Sequence, residues 1–416
     1  MDRTTHGLTA TVELVAGPPA YGGLSVSRVD GRVVFVKGAI PGEAVLARVD
    51  EAKKDYSTAT AIEIIGPSPD RVEPPCRHFG VCGGCHIQYA SYDRQVRMKE
   101  EALAGVLRRM AKVEPPFLPS LTGSPFGYRQ RARFKAAPGR LGFFRERSHT
   151  VVDIESCPLM SDATDTGYRA ARETLRGSAF RELQITCGDG ALALVRADGD
   201  GGGWDEAAAR LIASGFAGVS VDAGGGRVLS YGAGYVSLDL CGLDYTISPA
   251  SFIQANWALN RGLVATLMDS LRPLSGLRVL DLYSGAGNFA MPAALHAGEV
   301  VAVEENPGAV ADGIRNAGLN DIENCRFVQS GAGAPDVAGP FDVVIADPPR
   351  TGLDPVAVDY ILGAGLGRMA YVSCDPATLA RDLKKLSVKY DVESVRMVDF
   401  FPQTYHIEAV AMLVLR

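Results

Sequence analysis

The sequence predicts an α/β protein: a doubly wound, mostly parallel sheet in the carboxyl-terminal third, preceded by a small β-barrel and a central α+β segment. Three observations carry this. Residues 278–282, 300–303, 325–328, 341–346 and 369–373 are short apolar runs separated by helical stretches, and three of them end at Glu304, Asp347 or Cys374. The first 65 residues hold short alternating runs broken by Gly22-Gly23, Asp30-Gly31 and Pro41-Gly42, which is hairpin punctuation. The middle of the chain mixes one amphipathic helical stretch with further short strands and glycine turns. The expected division is 1–67 for the barrel, 68–250 for the central segment and 251–416 for the sheet.

In the barrel, strands are expected over 11–15, 33–37, 44–49 and 59–65. An oligonucleotide-binding type of barrel presents one strand face to RNA, and Lys37, Arg48, Lys53 and Lys54 are placed to line it; a solvated polar face is the alternative. The run Gly23-Leu24, residues 30–36 and Pro41-Gly42-Glu43 resembles the TRAM module of RNA-modifying enzymes. Pro67, Pro69, Pro74 and Pro75 mark a stiff boundary.

With 416 residues and 47% hydrophobic content, the chain can bury a large core. The start, Met1 to His6, has no apolar signal core, and no run of about 18 apolar residues exists, so a cytoplasmic protein is expected. The eight cysteines should then be reduced, and a cluster of them points to metal binding or catalysis. The net charge of -6 excludes bulk, sequence-blind nucleic-acid binding but leaves room for a local basic face.

Cys76, Cys82 and Cys85 read C-x5-C-x2-C with glycines at 80, 83 and 84, and Cys157, followed by Pro158, is the candidate fourth ligand. Four thiolates also suit zinc, but this spacing is not a usual zinc-ribbon one, so a [4Fe-4S] cluster is the expectation. Residues 93–113 have helical periodicity and should pack on the catalytic unit. Between Gly127 and Thr150 stand seven Lys or Arg residues and one acid, and Arg129, Arg131 and Arg133 alternate as on one strand face, with Phe143 and Phe144 nearby for stacking on RNA. Residues 180–248 read as an antiparallel sheet turned at Gly188-Asp189-Gly190, at 198–203 and at 224–226.

In the last third, residues 278–289 form a strand, a glycine-rich turn and a helix start, and Glu304 ends the next strand as an acid placed to hold a ribose. A parallel sheet binds ligands at its carboxyl edge, and Tyr283, Asn288, Glu304, Asp347 and Cys374 all fall there. Cys374 lies between a strand and a helix that starts at Asp375-Pro376, where a positive helix end should lower the thiol's pKa. Glu408 begins a final apolar strand, as a structural carboxylate or a base; packing is the expected role of His406.

In family order the chain carries C-x5-C-x2-C, residues 252–256, residues 281–289, Asp347-Pro348-Pro349-Arg350, residues 373–379 and residues 402–408. Over nearly its whole length it resembles RNA (uracil-5-)-methyltransferases of the TRAM-bearing, iron-sulfur bacterial 23S ribosomal RNA type. The resemblance implies a class I S-adenosylmethionine-dependent fold. It implies Cys374 as nucleophile, Glu408 as base, Gln254, Tyr283, Asn288, Glu304 and Asp347 around S-adenosylmethionine, and Cys76, Cys82, Cys85 and Cys157 on the cluster. It further implies RNA as partner, ribosomal before transfer RNA, no membrane and action as a monomer. Asp375 stands where the family often has asparagine, and residues 330–333 bring no acid after the third strand.

The chemistry explains the residue types. Carbon 5 of uracil is a weak nucleophile until a thiolate adds to carbon 6 and generates an enolate; afterwards a base must take the carbon 5 proton so that the thiol can leave. The base must also be flipped or single-stranded. A cytosine-5 methyltransferase uses the same thiolate logic, but usually with proline before the cysteine, where this chain has Ser373. A non-catalytic RNA-binding protein would need neither nucleophile nor cofactor edge.

Overall fold

The computed structural model describes residues 11–198, 203–332, 337 and 339–416; residues 1–10, positions 199–202 of the glycine loop and Gly333 lie outside that description. The amino-terminal sheet has six strands: Thr11–Val15, Pro19–Ala20, Leu24–Val29, Arg32–Lys37, Ala44–Ala52 and Tyr56–Gly66. It curls on itself around Val34, Val36, Val45, Ala47 and Ala59. Leu24–Val29 is a strand that apolar alternation does not reveal, because its inward residues are Ser25 and Ser27. Their hydroxyls donate to the Ala39 and Val15 carbonyls at 3.0 and 2.9 Å, which is what makes polar inward positions tolerable.

The long helix expected over 93–113 is shorter. Helix α1 (Tyr92–Val106) passes into one π-helical turn at Leu107–Ala111, and Lys112, at φ 61°, ends it. Leu103, Val106 and Leu107 share an apolar core with Leu379 and Leu383 of the carboxyl-terminal unit. Lys99 of α1, 3% exposed, donates to Asp399 at 2.6 Å and to the Phe401 carbonyl at 3.0 Å.

The central sheet holds seven strands. Contrary to the antiparallel expectation, Ala191–Ala197 and Gly218–Asp222 are parallel. A parallel pair needs a crossover, and the helix Trp204–Ala213 supplies it.

The carboxyl-terminal sheet has eight strands: β1 (Phe117–Leu121), β2 (Arg278–Leu282), β3 (Glu299–Glu304), β4 (Cys325–Gln329), β5 (Val343–Ala346), β6 (Arg368–Ser373), β7 (Tyr390–Val398) and β8 (Glu408–Leu415). Their order is β4-β3-β2-β5-β6-β8-β7-β1, with β4 through β6 parallel and β8 antiparallel to β6. The chain therefore winds one way through β2 to β4 and the other way through β5 and β6, leaving a crevice at the switch between β2 and β5. Strand β1 comes from far upstream and adds itself beside β7 in parallel. Because β8 runs antiparallel, its first residue, Glu408, lies at the same edge as the carboxyl ends of β2, β3, β5 and β6. Among the described residues no helix is long and apolar enough to cross a membrane.

Candidate active site

A cleft of 520 Å³ opens at that edge, and Gln254, Tyr283, Glu304, Asp347, Cys374 and Glu408 all line it. All but Gln254 arrive at or just after the ends of different strands, so the backbone ladder fixes their spacing; Gln254 comes from the loop before the helix Trp257–Leu271. Tyr283 follows β2 at φ 63°, a conformation rare outside glycine, which turns the chain into the Gly285 loop. Glu304 accepts from the Gly285 N–H at 3.0 Å and from the Asn306 N–H at 2.8 Å, so the ribose candidate also ties down the glycine loop. Asn288 stands apart: its amide exchanges two hydrogen bonds with Asn260, at 2.7 and 3.1 Å, and it is not among the cleft-lining residues. Ser330 and Ala332, neither of them acidic, line the cleft wall after β4.

Behind the glycine loop, Asp281 is fully buried and, among the described residues, neither of its carboxylate oxygens has a hydrogen-bond partner; the buried Ser284 hydroxyl is likewise unpartnered among them. Buried polar atoms without partners are rare, and here they flank a cleft suited to a polar ligand. Burial, then the neighbouring Asp347, pushes the Asp281 carboxyl well above the ordinary range.

The nucleophile candidate corrects one expectation. Asp375 does cap helix α2 (Pro376–Leu386), accepting from the Ala377 and Thr378 N–H groups at 2.9 and 3.0 Å. Yet the Cys374 thiol is pushed up to about 12, first by burial and then by Glu408 and Asp347. Burial, with the neighbouring carboxyls adding to it, keeps the thiol high although it stands at a helix start. Burial also raises Asp347, and it raises Glu408, with Asp347 adding to the effect. The nearby cation is Arg350, which pulls both Cys374 and Glu408 down and donates to His406 Nδ1 at 3.1 Å. Burial, followed by Arg350, depresses His406 to about 3, so its ring is a neutral acceptor. Sequence reasoning passed over Arg350, Asp281 and Phe252, although the motif around each was legible. Phe252, 70% exposed, stands on the cleft rim as a stacking face.

The second constellation is the cysteine loop. Cys76, Cys82, Cys85 and Cys157 are free thiols. Burial raises Cys82, Cys85 and Cys157, the last to about 11; all three also feel Cys76, and Cys85 and Cys157 feel Cys82 as well. Among the described residues no three His, Cys, Asp or Glu side chains stand in single-ion ligand geometry, so what unites the four is their mutual electrostatics. Arg129, with a buried unpartnered Nε, pulls Cys82 and Cys157 down. The loop is held by backbone: Gly83 N–H donates to the Phe144 carbonyl and His86 N–H to the Gln403 carbonyl, both at 2.9 Å.

The basic strand does not present three arginines to solvent. Arg131 is half-buried and donates to the Ser251 and Pro249 carbonyls, tying the strand to the segment that carries Gln254. Arg133, Lys135 and Arg196 share Glu182. Of the barrel cations, Arg48 pairs with Asp50 and Lys53 with Glu51. Lys37, paired with Glu146, instead lines a 750 Å³ groove between barrel and cysteine loop, together with Phe144, Arg145, Arg147 and Tyr405; this groove meets the cleft at Arg350.

Comparison with known proteins gives the same outline. The tRNA (uracil-5-)-methyltransferase family model matches residues 236–334 and 339–416, and the TRAM domain model matches residues 4–62. The 23S rRNA (uracil(1939)-C(5))-methyltransferase of Methylococcus capsulatus is 37% identical over 94% of this chain and 94% of its own. The protein of the same description from Pseudomonas entomophila is 36% identical over 96% of this chain and 92% of its own. The crystal structure of Pyrococcus abyssi tRNA (uracil-54, C5)-methyltransferase in complex with S-adenosyl-L-homocysteine superposes with a TM-score of 0.76 at 26% identity, covering 97% of this chain and 100% of that one.

Proposed function

Because the chain belongs to the RNA (uracil-5-)-methyltransferase family, we propose that its carboxyl-edge cleft methylates carbon 5 of one uridine in 23S ribosomal RNA through a covalent adduct on Cys374. The enzyme class is S-adenosylmethionine-dependent uracil C5 methylation of RNA. The observation that carries the site is the convergence of Cys374, Glu408, Asp347, Glu304, Tyr283 and Gln254 on one cleft.

S-adenosylmethionine supplies the methyl group and a positive sulfonium. Glu304 holds the ribose hydroxyls, and the Gly285 turn that it braces admits the nucleoside. Gln254, Tyr283 and Asp347 surround the rest. The raised thiol and carboxyl values describe a cleft rich in latent negative charge, and a cation placed among these groups favours loss of their protons. Cys374 then adds to carbon 6: the S–C bond forms and the carbon 5–carbon 6 π electrons move onto the carbon 4 oxygen. As the enolate collapses, carbon 5 takes the methyl group, the sulfur–methyl bond breaks with its electron pair left on sulfur, and S-adenosylhomocysteine is the leaving group. Glu408 next removes the carbon 5 proton, the C–H electrons rebuild the double bond, and the thiolate leaves. A carboxylate with a raised pKa is the stronger base once ionised.

The groove lined by Lys37, Phe144, Arg145 and Arg147 suits flanking RNA, since it combines cations with aromatic faces and leads to the cleft. Ribosomal RNA is favoured because full-length relatives at 37% and 36% identity act on it, while the transfer RNA enzyme stands at 26%. The four thiols with Arg129 fit an anionic, thiolate-bound [4Fe-4S] centre, with zinc as the rival. A reduced thiol set of this kind suits a cytoplasmic monomer. Mapping 5-methyluridine in ribosomal and transfer RNA from cells lacking the protein tests the assignment: loss from 23S RNA is expected, and loss from transfer RNA alone would overturn it.

A further inference from the structure

Beside the catalytic cleft, the barrel reaches the residue that follows Cys374 through a hydrogen bond. The Tyr21 hydroxyl donates to Asp375 Oδ2 at 3.0 Å, whereas Asp375 Oδ1 is engaged by the Ala377 and Thr378 N–H groups. Thus one oxygen caps helix α2 and the other faces the barrel. Tyr21 is held in place: its ring meets the Tyr405 ring edge-on at 5.9 Å, and a Cβ on Gly23 would lie 3.2 Å from Tyr405 Cβ and 3.3 Å from Ile87 Cγ2. The Gly22-Gly23 turn is therefore pressed onto the segment that leads to Glu408.

We propose that Tyr21 is a positioning residue for the nucleophile: by donating to Asp375 Oδ2, it binds and offsets the one carboxylate adjacent in sequence to Cys374, so that seating of the barrel prepares the thiol for attack. The inference rests on Cys374 as nucleophile. The charged groups around that sulfur are Glu408 from β8, Asp347 and Arg350 from the loop after β5, and Asp375 itself; those around Tyr21 are Asp375, Arg350 and Tyr405. Burial and Asp375 raise the phenol far above neutrality, so it stays a donor. Among the carboxylates that disfavour the thiolate, Asp375 is the one to which a donor from another part of the fold is fitted.

The test uses full-length Tyr21→Phe, Asp375→Asn and the double variant. The pH profile of Cys374 alkylation by iodoacetamide is read on its own peptide by mass spectrometry, alongside the pH profile of kcat/KM. Tyr21→Phe should move the rising limb to higher pH and slow alkylation at neutral pH by about threefold to tenfold, with recovery at high pH. Asp375→Asn, whose amide oxygen still caps the helix, should move the limb to lower pH, and Tyr21→Phe should add no further shift in that background. A limb unmoved by Tyr21→Phe, or moved equally in both backgrounds, overturns the proposal; a merely structural role would lower kcat at every pH without moving the limb. Should Tyr21→Phe unfold the barrel, an unmoved limb in Asp375→Asn alone overturns it. The alkylation profile reports on Tyr21 even if Cys374 forms no RNA adduct, which keeps the two failures apart.

Discussion

The cleft and the cysteine loop solve the same electrostatic problem with different materials. Both collect groups that become anionic and both bury them, so burial holds the protons on: Cys374, Asp347 and Glu408 in one, Cys82, Cys85 and Cys157 in the other. Each is therefore poised for a cation. In the cleft the partners are carboxyls on sheet strand ends around open space, which fits a ligand that comes and goes. In the loop the partners are thiols wrapped by glycines and fastened by backbone hydrogen bonds to Phe144 and Gln403, which fits a centre that stays. The raised values alone do not set the two regions apart, since burial also raises Cys187 and Cys325 elsewhere in the fold; what differs is the setting, open cleft against fastened loop.

The two regions share one support, the segment from Asp399 to Glu408. It is held by the buried Lys99–Asp399 pair and by Gln95 and Gln403, whose side chains meet at 2.9 Å. Breaking that support should damage both sites. Lys99→Met leaves Asp399 buried and unpaired, and is expected to cost about 3–5 kcal/mol in chemical denaturation; a loss below about 1 kcal/mol would show the pair to be dispensable.

Separating the regions should separate the losses. Cys82→Ala in anaerobically prepared protein is expected to abolish the roughly four irons per chain of a [4Fe-4S] centre and to lower the melting temperature, while methylation per folded molecule changes less. Zinc without iron in the unmutated protein would contradict the assignment. On the other side, Glu304→Ala should weaken S-adenosylmethionine binding about tenfold by calorimetry and leave iron content intact, since a ribose loses its charged acceptor.

The smallest effect is the one that reads the electrostatics directly. A cation bound among carboxyls whose pKa values are raised lowers those values, so binding releases protons. Affinity for S-adenosylmethionine should therefore rise with pH through the region above the ordinary carboxylate range and level off once the free cleft is ionised, by a few-fold overall. S-adenosylhomocysteine, which lacks the sulfonium charge, should show a shallower slope. Equal slopes in calorimetry across buffers would remove the carboxyl cluster from the account.

Much of this was legible in the sequence, where local pattern and fold agree. The alternation of strands and helices placed Glu304, Asp347 and Cys374 at one edge, and the antiparallel return of β8 brought Glu408 there too. What pattern did not carry was long-range. The serine-lined strand Leu24–Val29 hides because its inward face is satisfied by hydrogen bonds rather than by apolar contact. Arg131 and Arg133 alternate as an RNA-facing strand would, yet one ties down residues 249–251 and the other shares Glu182. The helix end beside Cys374 was visible, whereas the burial that raises the thiol, and the Glu408 and Asp347 carboxyls that add to it, come from packing of strands far apart in the chain.

The central claim is that Cys374 attacks carbon 6 and Glu408 removes the carbon 5 proton, and trapping separates these steps. With RNA carrying 5-fluorouridine at the target and S-adenosylmethionine present, the enzyme should form a denaturation-stable, methylated complex, because fluorine cannot leave as a proton. Cys374→Ala should form none, and Glu408→Gln should accumulate the same complex on ordinary uridine. Methylation by Cys374→Ala, or normal turnover by Glu408→Gln with no complex on the gel, would contradict the corresponding role.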